Sequence, residues 1–222
     1  MSDKYRPTIL IFSVGEVEGG LKKIKEKADV HQASFSRPNA CADLLKAHPS
    51  AQALWIVDPD IARQDHKLLS KQVVAYVRNG GTAIIGGWFV ASVTPLEFDE
   101  WMESDWNLPW RFGQYETTTV VFQSSAVGPR DHWRDGLAAA YSQKGVFLKN
   151  VAATDSWYAS PPGSKSESRV FGPLPIESQT SMAFGRVGQG WLGFTGDINN
   201  VTETNNALLA MMGLNGRDIY DK

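Results

Sequence analysis

Only one cysteine, Cys41, occurs in the 222 residues. An intrachain disulfide is therefore impossible, and a four-thiolate metal site is excluded. Positive charge is not in excess: 22 lysines and arginines face 24 aspartates and glutamates, a formal net charge of −2. Nucleic-acid backbones are held by concentrated basic surface, so this balance argues against such a partner. Lys22, Lys23, Lys25 and Lys27 come closest to a basic block, but Ile24 and Glu26 interleave with them as on a solvated helix face. No apolar run reaches the ~20 residues of a membrane-spanning helix, which leaves no membrane partner to expect. Met1-Ser2-Asp3-Lys4-Tyr5-Arg6-Pro7 lacks the apolar centre of a signal peptide. The expected location is cytoplasmic, where Asn200-Val201-Thr202 has no meaning as a glycosylation acceptor.

What is present suits a globular α/β chain: 42% hydrophobic and 21% charged residues, with enough length for a real core. One domain is expected over 1–222, without internal repeats. The N-terminal half alternates short apolar runs with amphipathic segments. Strands are expected at 8–13, 30–35, 53–57 and 82–85, and helices at 21–27, 40–47 and 65–78, the last capped by Asp65 and stopped by Asn79-Gly80-Gly81. This cadence implies right-handed βαβ units and a parallel sheet. Thr94-Pro95-Leu96-Glu97 is a capping box with proline at the first helical position, so a helix is expected from there to Asp105. A strand at 117–123, a helix opened by Pro129 and Asp131 that carries Trp133, Leu137, Ala140 and Tyr141, and a strand at 146–151 follow. Residues 160–168 read as a surface loop. Strands at 181–187 and 191–195 form a hairpin around Gly188-Gln189-Gly190, and Asn200 with Glu203 opens a last helix ended by Gly213.

The fourth strand runs into Gly86-Gly87-Trp88. In α/β sheets such a strand-to-helix bend presents a nucleophile, yet here its tip has no Cys, His or Ser. Gly188-x-Gly190-x-x-Gly193 matches a dinucleotide fingerprint by letter. That motif needs a strand before it and a helix after it, and this one lies in a hairpin. Tyr141 and Lys144 are one residue too close for a reductase pair, and Tyr141 fits better as core. His31, His48, His66 and His132 show no helical ligand spacing, so neither a metal nor a cofactor is expected.

Acidic residues at strand ends carry more information. Glu16 follows the first strand, Asp58 and Asp60 the third, and Asp197 the last. Ligands bind outside the carboxyl ends of parallel strands, so these side chains could meet the glycine bend in one crevice. Two carboxylates in unequal environments can divide acid and base work, or can simply cap loops. Trp88, Trp101, Trp106 and Trp110 crowd one stretch and serve as core, as an interface between protomers or as a ligand wall.

The blocks Val77-Arg78-Asn79-Gly80-Gly81-Thr82-Ala83-Ile84-Ile85-Gly86-Gly87 and Ala183-Phe184-Gly185-Arg186-Val187-Gly188-Gln189-Gly190-Trp191-Leu192-Gly193-Phe194-Thr195-Gly196-Asp197 together resemble the class I glutamine amidotransferase-like superfamily. The likeness is to its non-glutaminase branches, such as the trehalose-utilisation-type proteins. Leu108-Pro109-Trp110 and Leu148-Lys149-Asn150-Val151 resemble uncharacterised fungal members. The resemblance implies a three-layer flavodoxin-like sandwich with a mainly parallel sheet and a C-terminal antiparallel hairpin.

Two departures govern the expected function. The family's elbow carries a cysteine where this chain has Gly86 or Gly87, and the family's His-x-Glu is replaced by Phe194-Thr195-Gly196-Asp197. Cys41 lies on an early helix. Covalent glutamine hydrolysis is thus excluded on this alignment. The first expectation is an amidotransferase-like protein that binds a small polar molecule in the former active-site crevice, with Gly86, Gly87 and Trp88 as floor and Glu16, Asp58 and Asp60 around it. Self-association as a homodimer through the aromatic patch is part of that expectation. The alternatives are a non-thiol hydrolase or lyase with an acidic general base, and a partner-binding protein with a large apolar surface around Trp101–Trp110.

Overall fold

A computed structural model describes residues 6–15, 20–37, 39–129, 132–167 and 173–215. The first half builds β1 (Thr8–Phe12), α1 (Leu21–Lys27), β2 (Asp29–Ala33), α2 (Ala40–Ala47), β3 (Ala53–Ile56), α3 (Lys67–Arg78) and β4 (Thr82–Ile85). Short helices α4 (Trp88–Ser92) and α5 (Pro95–Trp101) follow. The second half is mostly strand: β5 (Arg111–Phe122), β6 (Ala140–Lys149), β7 (Ser156–Ala159), β8 (Thr180–Val187) and β9 (Gly190–Thr195), closed by α6 (Thr202–Met211).

These strands form one mixed sheet in the order β2-β1-β3-β4-β9-β8-β6-β5-β7. The pairings from β2 through β9 are parallel. Helices cover both faces of that half. Leu10, Phe12, Leu54, Ile56 and Ile85 pack toward α2 and α3, while Ile9, Ile11, Trp55 and Ile84 pack toward α1 and α6. Burial on both sides is why β1, β3 and β4 are continuous apolar runs rather than alternating ones. Each fully buried Leu, Ile or Phe there contributes about 1.5–3 kcal/mol.

The other half overturns the expected flavodoxin-like sandwich with its mainly parallel sheet. Every pairing beyond β9 is antiparallel, and these outnumber the parallel ones. β5 pairs with both β6 and β7, and β8 also pairs with both β6 and β7. Those four strands therefore close into an antiparallel ring, far more than an added hairpin. Aromatic residues fill one of its sides. Trp133 stacks on Trp157 at 4.2 Å, Trp157 meets Phe184 at 5.0 Å, and Phe184 stacks on Trp191 at 4.9 Å. The Arg186 guanidinium completes the series 4.7 Å above the Trp191 ring.

The helix expected from Pro129 does not form among the described residues. Ala140 and Tyr141 belong to β6, preceded by turns, and Asp131 lies outside the described residues. Tyr141 is buried as core, its hydroxyl donating to Gln143 Oε1 at 3.0 Å. β7 is short, buried throughout and without alternation, so no periodic signal announced it. The capping box holds: Thr94 Oγ1 accepts from Glu97 N, and the Glu97 carboxylate accepts from Thr94 N. Asp65 does not cap α3; it sits in a preceding 3₁₀ turn, with His66 at the cap position. After α5 the chain continues through a π-helical turn, Met102–Trp106, that points Asp105 and Trp106 inward.

Candidate functional site

A cavity of about 730 Å³ opens at the carboxyl ends of β1, β3 and β4. Its walls come from Ser13 and Val14 after β1, Trp55, Val57, Asp58 and Asp60 around the end of β3, and Gly87 and Trp88 after β4. Arg63 and Asn200 join from neighbouring loops, and Ala91 and Ser92 from α4. Strand ends gather here because parallel strands release their following loops on one side of the sheet.

Of the residues expected here, Asp58, Asp60, Gly87 and Trp88 share the cavity wall. Gly86 lies one residue short of it. Its N–H still bonds to Ile56 O at 3.1 Å, and a side chain on it would run into Thr195 Oγ1. Glu16 lies outside the described residues. Ser13, Trp55 and Arg63 were missed by sequence reasoning. The strand-end rule that found Asp58 applies equally to Ser13, whose hydroxyl accepts from Gln32 Nε2 at 2.8 Å. Arg63 was legible as an i,i+3 partner of Asp60, to which it is ion-paired at 2.5 Å.

Gly87 has φ 63° and ψ −132°. A side chain is strained in this conformation, which belongs to the sharp strand-to-helix turn that displays a nucleophile. The turn is present, and a hydrogen atom stands where a reactive side chain would project. Cys41 offers no replacement. It is buried on α2, and that burial, with the nearby Asp58 charge, pushes its thiol up to about 12. Among the described residues no histidine lines the cavity. His31 lies against His48 with ring centres 4.3 Å apart and His66 meets Phe35 at 5.1 Å, both elsewhere. Nor do the described residues contain a cluster of three or more His, Cys, Asp or Glu side chains able to hold a metal ion.

Asp197 is taken up by structure. It is 1% exposed, and its two carboxylate oxygens accept from Asn199 N at 2.9 Å and Val201 N at 2.8 Å. It thereby shapes the turn into α6, the role the sequence suggested for Asn200, which instead adopts φ 52°. Trp101, Trp106 and Trp110 are core residues, and Trp88 is the exposed one of that group.

Asp58 is 5% exposed and caps a 3₁₀ turn (Pro59–Ala62) by accepting from Asp60 N at 2.9 Å. Burial raises its carboxyl above the usual carboxylate range, and the neighbouring Asp60 charge adds to this against the backbone hydrogen bonds. The folded state therefore holds this proton at pH values where the unfolded chain has released it. Stability from this group falls as pH rises from the unfolded value of about 3.9 through the raised folded one. Asp58→Asn keeps a cap of similar quality without the charge. It should raise stability near pH 7 by roughly 0.5–1 kcal/mol, with the gain vanishing toward pH 3. Urea denaturation at both pH values checks this, and a variant destabilised at pH 7 would contradict it.

No family model matches the chain, and no curated protein matches it by sequence. Solved structures do match it in shape. A cytoplasmic protein from Salmonella typhimurium LT2 is similar with a TM-score of 0.59 at 9% identity, over 93% of this chain and 98% of its own. A ThuA-like protein from Bacteroides uniformis gives 0.56 at 8% identity, over 95% and 93%. A GMP synthase subunit from Thermoplasma acidophilum gives 0.50 at 11% identity, over 96% and 95%. At these identities the likeness is one of fold alone, and in fold the chain resembles ThuA-like proteins and this GMP synthase component.

Proposed function

We propose that this chain is an amidotransferase-like protein without glutaminase activity that binds a small polar ligand in the crevice at the ends of β1, β3 and β4. The observation that carries the reading is Gly87: the backbone of a nucleophile-bearing turn with no nucleophile on it. The cavity has the size of an ordinary small-molecule site, about 300–1,000 Å³. Its lining mixes an exposed indole with two carboxylates, a guanidinium, two serines and an asparagine. Cys41 as the lone thiol suits a reducing compartment, and the cytosol is the location proposed.

The test has two arms. The purified chain incubated with glutamine should release no ammonia above a heat-denatured control. A small-molecule screen should find compounds that raise Tm and perturb Trp88. Ammonia release that disappears in Cys41→Ser would overturn the reading, as would a blank screen together with a crystal structure in which side chains fill the crevice.

One observation favours a second reading. Asp58 has a raised carboxyl in the cavity wall, the property a general base needs to work near neutral pH. A hydrolase or lyase of this kind would show turnover that Asp58→Asn abolishes and Cys41→Ser leaves intact.

A further inference from the structure

Asp58 is a nearly fully buried carboxylate, yet among the described residues its carboxylate forms no ion pair. The backbone of Asp60 and Val14 donates to it. Arg63, a cation in the same cavity wall, is committed to Asp60 at 2.5 Å and leans toward Glu97 at 3.8 Å. Buried charges in proteins are ordinarily paired or bound to a cation. A second, separate feature points the same way. Trp88 is 65% exposed while lining the cavity that Asp58 lines. Tryptophan offers the best aromatic face for a positive charge.

Resting on the reading of this crevice as a ligand site, we infer that its ligand is a small organic cation, with an ammonium head against Asp58 and its alkyl substituents on the Trp88 ring. An anion would meet two carboxylates and one guanidinium that is already paired. A hard metal ion asks for about six to eight oxygen ligands or an octahedral set, and no acidic cluster of three is found among the described residues. Gly87 lines the same cavity and puts no side chain into it.

The experiment uses the full chain at constant ionic strength. Choline chloride and ethanolamine hydrochloride are the cationic probes, ethylene glycol the neutral one and sodium acetate the anionic one. Binding is followed by the Trp88 indole N–H resonance, assigned with Trp88→Phe. The two cations should shift it saturably, and ethylene glycol, acetate and matched sodium chloride should not. Asp58→Asn should weaken choline about tenfold or more without lowering Tm, so that a loss of binding is not a loss of fold. Ethylene glycol or acetate saturating the site as tightly as choline, with no sensitivity to Asp58→Asn, would overturn the cation inference and leave the ligand crevice standing. No shift from any probe would overturn the inference too, and a blank wider screen would then remove the ligand-binding reading with it.

Discussion

Gly196→Ala should leave the chain barely able to fold. A methyl group at this position would sit inside van der Waals contact of the Val146 carbonyl oxygen, with the Ser181 carbonyl oxygen 3.0 Å away. Both are backbone atoms and cannot rotate aside. The same residue joins the two halves of the sheet. Gly196 N donates to Ser181 O, and Gly196 O accepts from Val146 N, each at 2.9 Å. Just beyond, Asp197 bridges Gly145 across β6. Any backbone shift that relieves the methyl breaks these bonds. The expected loss is about 3 kcal/mol or more, against a typical total of about 5–15 kcal/mol. Urea unfolding and soluble yield read it out. Gly15→Ala is the matched control, because nothing lies within 4 Å of its would-be side chain. Equal urea midpoints for the two variants would refute the close approach.

Asp105→Ala should produce the second large loss. The Asp105 carboxylate accepts from Ser70 Oγ at 2.5 Å and Ser104 Oγ at 2.8 Å, and is ion-paired with Lys67. Ser70 in turn accepts from Trp101 Nε1 at 2.7 Å. This network fastens α3 to the π-helical turn after α5. The Asp105 side chain is almost fully buried, so removing it leaves the buried Ser70 hydroxyl without its acceptor. With Lys67 still reached by water, losing these hydrogen bonds costs about 1–3 kcal/mol. Burial alone would raise the Asp105 carboxyl, but hydrogen bonds from Lys67, Ser70 and Ser104 and the Lys67 charge outweigh it and hold the group below its ordinary value. The stability it provides is therefore complete above about pH 4, the unfolded value, and is lost as pH falls through the lowered folded one. Asp105→Asn should flatten that acid limb in a urea series from pH 2 to pH 7. An unchanged acid limb would show that the carboxylate does not carry it.

Local signals and long-range ones fared differently. Leu21–Lys27, Ala40–Ala47 and Thr82–Ile85 lie where periodicity and turn residues put them, because their cues are contained within a few residues. The closed ring of β5, β6, β8 and β7 was not legible. Which strand lies beside which is set by contacts far apart in sequence, and Trp133, Leu137 and Tyr141 at helical spacing are in fact anchors from a turn and a strand. At the crevice, the strand-end rule brought Asp58, Asp60, Gly87 and Trp88 into view together. It could not distinguish Gly86, packed on Thr195, from Gly87 in the cavity wall. That difference is one of backbone direction, with φ 63° at the second glycine alone. The tryptophans were ambiguous for a related reason, since their composition is the same in core, wall or interface.

The ring has a consequence for assembly. β7 is paired on both sides, so β2 is the edge strand at the parallel end of the sheet. It is five residues long, and Arg6 clamps its first residue, Asp29, at 2.9 Å. Growth of fibres by strand addition needs two sticky ends per molecule. At β2 the open end is short and carries a charged clamp at its start, which blunts strand addition there.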